Sequence, residues 1–340
     1  MLRPPDSRRL ESLPTALRLN MTGHSDEPSL ESARYRAAIE MAGFAEENGF
    51  GVISVEEHHV AENGWLPSPL TLAGAIIGRT ESIAVSCAAL LITLYEPVRL
   101  AEDIAVLDLA SGGRFSFVAG LGYRPKEYAA LDKNWEARGK QMDHTIETLL
   151  KAWSGERFEY NGHDIRVTPV PVSKPHPPFA IGGMSRAAAR RAARFGLPFY
   201  LPMDMPELAE LYRSELERLG KQGVVTQPAE GNSMIFLDED PERAWHELAP
   251  YFLREGQEYS DWKREGVPRP GEQPVVGIDD LRSQKRYEIL TPAECVARIR
   301  ASGPDSTVCL HPLCGGIPID RAWQGLELYK NRVLPALPAA

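Results

Sequence analysis

Three stretches of this 340-residue chain place chemically capable residues directly after an apolar run of strand length. Residues 51–55 lead into Glu56-Glu57-His58-His59. Residues 82–87 end on the small pair Ala88-Ala89, and residues 113–119 on Gly120-Leu121-Gly122-Tyr123-Arg124. A fourth run, 179–181, ends on Gly182-Gly183-Met184-Ser185-Arg186 and opens an alanine- and arginine-rich helix. Strands that alternate with helices imply a parallel sheet, and in such folds the C-terminal strand ends carry the chemistry. The pattern therefore predicts one shared site.

An imidazole at such a strand end can donate and accept protons near neutral pH, which makes His58 the acid/base candidate. Neighbouring residues of a strand point to opposite faces, so His58 and His59 are poor joint ligands, and no downstream set completes a zinc-like cluster; no metal is expected. At Gly183, Met184, Ser185 and Arg186, free backbone amides, a hydroxyl cap and the positive end of a helix dipole coincide. That is a recipe for holding phosphate. Gly120 and Gly122 lack dinucleotide-fingerprint spacing and instead let a flat ring or a phosphate approach the backbone. Tyr123 and Arg124 follow them; Arg124 either reaches an anionic cofactor or is a solvated loop arginine. Cys87, inside an apolar strand, reads as a small core filler.

The elements that must position these residues alternate along the chain. Strands are expected at 16–21, 51–55, 82–87, 113–119, 179–181, 198–201, 233–237 and 307–310, with amphipathic helices between them, several opened by proline and one ended by Ser111-Gly112-Gly113. A small hairpin turning at Asn161-Gly162 is expected within 158–168. The expectation is α/β, a single (β/α)8 TIM-type barrel over 15–338 behind a flexible arm, 1–14, with an irregular lid-like insertion at 255–290 before the last strand. In that insertion Asp261, Trp262, Lys263 and Arg264 would form a closing surface between hinges at Gly256 and Gly266.

Composition narrows the function classes. A hydrophobic share of 43% with 25% charged residues is that of a globular protein. A net charge of −9 disfavours nonspecific nucleic-acid binding and docking on anionic membrane. No apolar run reaches bilayer length. The four cysteines, Cys87, Cys295, Cys309 and Cys314, show no disulfide-framework spacing, which predicts a reduced, cytoplasmic protein.

Taken in order, Glu57-His58-His59, residues 85–89, Pro97-Val98-Arg99, Gly113-Arg114-Phe115, Thr291-Pro292-Ala293-Glu294-Cys295 and Val333-Leu334-Pro335 resemble the bacterial luciferase-like family of flavin-dependent oxidoreductases. The resemblance implies a TIM-type barrel that binds reduced FMN. It puts His58 beside the flavin ring with Glu57 next to it, a non-prolyl cis peptide at Ala88-Ala89 under the ring, and the flavin phosphate at Ser185. It implies a monooxygenase that uses reduced FMN and O2 on a small organic substrate, supplied by a flavin reductase and often dimeric. The alternatives are a deazaflavin (F420) oxidoreductase that moves hydride and a non-catalytic flavin-binding protein. Luciferase itself carries a reactive cysteine and an arginine where this chain has Gly120 and Leu121.

Overall fold

The computed structural model describes residues 13–226, 233–265, 275–301 and 307–337. Ten strands form one sheet: β1 (Leu13–Leu19), β2 (Phe50–Val55), β3 (Ala84–Leu90), β4 (Phe115–Ala119), β7 (Phe179–Gly182), β8 (Phe199–Tyr200), β9 (Val225–Thr226), β10 (Met234–Leu237), β11 (Tyr287–Leu290) and β12 (Val308–Leu310). Every pairing in it is parallel, in the order β11-β10-β12-β1-β2-β3-β4-β7-β8-β9. Among the described residues the α-helices are α1 (Pro28–Glu47), α2 (Pro69–Arg79), α3 (Pro97–Ser111), α4 (Pro125–Ala130), α5 (Arg138–Ser154), α6 (Arg186–Phe195), α7 (Pro206–Leu219), α8 (Pro241–Glu265), α9 (Ile278–Ser283), α10 (Pro292–Ala301) and α11 (Ile319–Leu328). The architecture is a TIM-type α/β barrel. β5 (Phe158–Tyr160) and β6 (His163–Ile165) form the expected hairpin, where Asn161 and Gly162 both take positive φ, 50° and 77°, as a type I′ turn needs.

Local sequence explains the helix boundaries. Proline starts α1, α2, α3, α4, α7 and α10, where its missing N–H costs nothing. Gly112 closes α3 in the left-handed region, φ 65°. Between helices and sheet, Leu17, Ile53, Val85, Phe115 and Ile181 are fully buried, as strands covered on both faces require. Phe117 stacks on Phe179 at 4.9 Å across the β4–β7 pair and ties the two strands that carry the glycine ends.

The structure corrects the sequence reading in three places. Residues 255–290 are not irregular throughout: α8 continues to Glu265, α9 follows, and β11 adds a strand to the sheet. Charge density and the glycine at 256 hid a helix whose buried face is spaced by Phe252, Glu255, Tyr259 and Trp262. Gly256 therefore sits inside a helix, not at a hinge, while Gly266 and the side chains of Lys263 and Arg264 lie outside the described residues. The expected final helix over 322–333 is α11 followed by a π-helical turn, Tyr329–Val333. Of the arm at 1–14, residues 1–12 lie outside the described residues and β1 begins at Leu13.

Candidate active site

The ends of β2, β3, β4 and β7 are consecutive neighbours, so the four motif-bearing loops emerge side by side. At the end of β2, His58 is 6% exposed and its Nδ1 donates to Glu127 Oε1 at 2.8 Å. The same oxygen accepts the His59 amide at 3.0 Å and Arg124 Nη1 at 3.1 Å. Burial opposes the charge of Glu127, but His58, Arg124 and the His59 amide outweigh it and hold the carboxyl below its ordinary value. With Nδ1 committed to a carboxylate, Nε2 is left facing the Tyr123 hydroxyl at 3.2 Å. His58 can therefore accept or return a proton at Nε2 through a fixed ring orientation.

An aromatic wall encloses this imidazole. Trp262 lies 4.6 Å from the His58 ring, Trp65 5.0 Å, Tyr123 5.3 Å and Tyr259 6.3 Å. Tyr259 and Trp262 both come from α8. The Arg124 guanidinium, 2% exposed, sits 3.9 Å over Trp262 and donates to the His59 carbonyl at 2.8 Å. A desolvated cation over an indole contributes about 2 kcal/mol. Arg124 thus locks α8 to the β2 and β4 ends rather than standing open as a solvated loop arginine.

Glu57 organises the next loop. Its carboxylate is 2% exposed and accepts the Leu91 amide at 2.6 Å, the Tyr95 hydroxyl at 2.6 Å and His59 Nε2 at 2.8 Å. The Leu91 amide lies just beyond the Ala88-Ala89 peptide, which is cis as expected. Gly120 packs so closely there that a Cβ would lie 2.9 Å from the Ala89 methyl, and Gly122 has φ +77°. The result is a shelf of small residues spanning the β3 and β4 ends, packed against Leu91 and Tyr128.

At the end of β7, Gly183 has φ +152°, and a Cβ on it would meet the Ala188 methyl at 2.8 Å. Ser185 caps α6, its hydroxyl accepting the Ala188 amide at 3.2 Å. The first-turn amides of α6 precede any intrahelical acceptor, and Arg186 is exposed beside them. The chemistry of this donor set fits an anion.

A second polar centre was not legible in the sequence. Glu255 of α8 is fully buried and accepts from Arg18 (3.2 Å), Asn20 (2.9 Å), Thr22 (2.6 Å), Tyr287 (2.9 Å) and His311 Nε2 (3.1 Å), with the Cys314 thiol at 3.3 Å. Burial works against its charge, yet His311, Arg18 and these donors hold the carboxyl well below its ordinary value. Burial pushes the Cys314 thiol well up. Glu255, His311 and Cys314 lie close enough together to share an ion. The many donors already converging on the carboxylate make it a hub that seats α8 on the barrel mouth.

The luciferase-like monooxygenase family matches residues 18–303. The chain belongs to that family. Among curated relatives, an alkanal monooxygenase alpha chain of Photorhabdus laumondii is 28% identical over 176 residues, 48% of this chain and 47% of its own. An FMNH2-dependent dimethylsulfone monooxygenase of Pseudomonas putida is 29% identical over 133 residues, covering 37% and 36%. The matched segments span about half or less of the length of these relatives. Among solved structures, a Streptomyces bottropensis monooxygenase superposes with TM-score 0.72 at 22% identity over 94% of this chain and 99% of its own. The oxygenating component of a Pseudomonas putida diketocamphane monooxygenase, in complex with FMN, gives 0.65 at 18% identity over 97% and 100%. An F420-dependent secondary alcohol dehydrogenase gives 0.65 at 15% identity over 96% and 99%. At these identities the superpositions establish the fold.

For this family member, the sequence reading named His58, Glu57, Tyr123 and Arg124, and the structure gathers them at one centre. Ala88, Ala89, Gly120 and Gly122 form the adjoining shelf, and Gly183, Met184, Ser185 and Arg186 the next strand end. Glu127, Trp65 and Glu255 were missed. The i,i+3 spacing of Arg124 and Glu127 was a readable signal; nothing local marks Glu255, whose partners lie 32 to 237 positions away. Among the described residues no helix is long and apolar enough to cross a membrane.

Proposed function

We propose that this protein is a monooxygenase that uses reduced FMN and O2 to oxygenate a small organic substrate. The unbroken run of neighbouring strand ends supports this reading. It carries an imidazole, a shelf of small residues and a helix terminus whose donors suit an anion, in that order across three strand spacings, about 14 Å. Ser185, Arg186 and the first amides of α6 would hold the phosphate, and Gly183 would let it approach the backbone. Ala88, Ala89, Gly120 and Gly122 would face the flat ring. Bound FMN would supply the electrons that activate O2. His58 would hold or deliver a proton at Nε2, oriented by Glu127, and the aromatic wall would keep water out.

The likeness to an F420-dependent dehydrogenase supports hydride transfer with a deazaflavin as the second reading. A separate flavin reductase would deliver reduced FMN, and the four free cysteines suit the reducing cytoplasm. The test of the phosphate assignment is Ser185→Ala titrated with FMN and with riboflavin. FMN binding should weaken by about 1–2 kcal/mol, the scale of a charge-assisted hydrogen bond, with riboflavin unaltered. Equal weakening of both ligands would reduce Ser185 to a helix cap.

A further inference from the structure

Beyond the pocket around His58, the Arg286 side chain has no anion among the described residues. The Arg286 guanidinium lies 4.2 Å over the Tyr259 ring and 5.8 Å from the Tyr287 ring, half-buried between α8 and β11. Of the neighbouring arginines, Arg18 is paired with Glu56 and Glu255, and Arg124 with Glu127. Among the described residues no carboxylate lies within ion-pairing reach of Arg286, and no side chain accepts its N–H groups. Glu255 is the nearby carboxylate whose charge it feels. Yet a carboxylate offers about four lone-pair sites. Arg18, Asn20, Thr22, Tyr287 and His311 already occupy those of Glu255. A guanidinium keeps its charge under these conditions and presents a planar fork shaped for an oxyanion.

A single tyrosine ring, Tyr259, separates this fork from the imidazole of His58, at 6.3 Å between the latter two ring centroids. We propose that Arg286 recognises the substrate, and that the substrate is an organic acid whose carboxylate or sulfonate pairs with the guanidinium while its body lies along Tyr259 toward His58. This rests on the monooxygenase reading and assigns the substrate class for that site. The oxyanion would take the place of water on the fork, and the apolar body would lie against rings already present, so neither end loses more solvation than it regains.

The test is calorimetric titration of the full chain with benzoate, benzenesulfonate and neutral benzamide, without flavin and again with saturating oxidised FMN. The expected result is saturable binding of an acid in at least one state, with benzamide about tenfold or more weaker. Arg286→Gln should lose acid binding by about tenfold or more, and Arg286→Lys, which keeps the charge but not the fork, should restore it only in part. Absence of saturable acid binding in both states overturns the proposal. So does equal binding of benzamide, or unchanged acid affinity in a folded Arg286→Gln. Should Arg286→Gln fail to fold, Arg286→Lys decides: acid affinity equal to wild type overturns the proposal. Arg286→Gln should bind FMN as wild type does; a loss confined to FMN over riboflavin would assign Arg286 to the cofactor phosphate and overturn it as well. A wild-type protein that binds acids but no FMN would defeat the monooxygenase reading and leave the recognition of acids standing, so the two failures are distinguishable.

Discussion

Replacing Glu127 by Gln tests how the candidate catalytic centre is held together. Oε1 receives all three donors, His58 Nδ1, the His59 amide and Arg124 Nη1, while Oε2 is buried without a partner among the described residues. A glutamine can keep its carbonyl oxygen at the Oε1 position and preserve the three contacts, but not the charge. Hydrogen bonds to a charged group contribute about 1.5–3 kcal/mol and neutral ones about 0.5–1.5, so the His58 and His59 contacts weaken by about 1 kcal/mol each, and the amide NH2 placed at the Oε2 position adds a buried donor without a partner, at about 1 kcal/mol or more. The expected loss of stability is about 3 kcal/mol, at the lower end of the cost of breaking a buried ion pair. Urea denaturation of both proteins at neutral pH measures it. The carboxyl sits below its ordinary value of 4.5 in the folded state, so the wild-type advantage is present above about 4.5 and is lost as pH falls through the folded value. An Glu127→Gln protein within about 0.5 kcal/mol of wild type at neutral pH, or a gap that persists undiminished in acid, would refute the reasoning.

Two further predictions follow from the same centre and from α8. His58→Ala should lower turnover with reduced FMN by about 10²–10⁴, the contribution of a general acid/base, with little change in FMN affinity, since the proposed phosphate site is at Ser185, three strands from the imidazole. Unchanged turnover in a folded variant would remove His58 from the mechanism. The C-terminal half of α8, seated by Glu255 and Trp262 over His58, is proposed to act as the lid. Limited chymotrypsin cleavage at Tyr259 and Trp262 should slow when FMN and an acid probe are bound and accelerate in Glu255→Ala, whose six donors lose their acceptor. Equal cleavage rates with and without ligands would show a fixed helix.

Local pattern made the barrel legible. Apolar runs of strand length, proline at helix starts, the Ser111-Gly112-Gly113 stop and the Asn161-Gly162 turn each carry their physical cause within a few residues. The strand-end positions of His58, Gly120 and Ser185 were legible for the same reason, since each is read from what immediately precedes it. What escaped depends on tertiary contact. The continuation of α8 is decided by burial of Tyr259 and Trp262 against His58 and of Glu255 among β1, β11 and β12 residues, and periodicity over a charged stretch shows none of that. β11 was missed because Lys285 and Arg286 precede it and Glu288 lies within it, so its apolar residues do not stand out from the charged stretch around them. Glu127 was missed because its role comes from the loops after β2 and β4 meeting across the end of β3, 69 positions apart for His58.

The central claim, reduced FMN as the cofactor, is tested most directly by anaerobic titration of the wild-type protein with reduced FMN and with the reduced deazaflavin coenzyme. The account predicts the tighter saturable binding for reduced FMN, with riboflavin weaker than FMN because the α6 terminus then has no phosphate to hold. Tighter binding of the deazaflavin, or no saturable binding of reduced FMN, would contradict it.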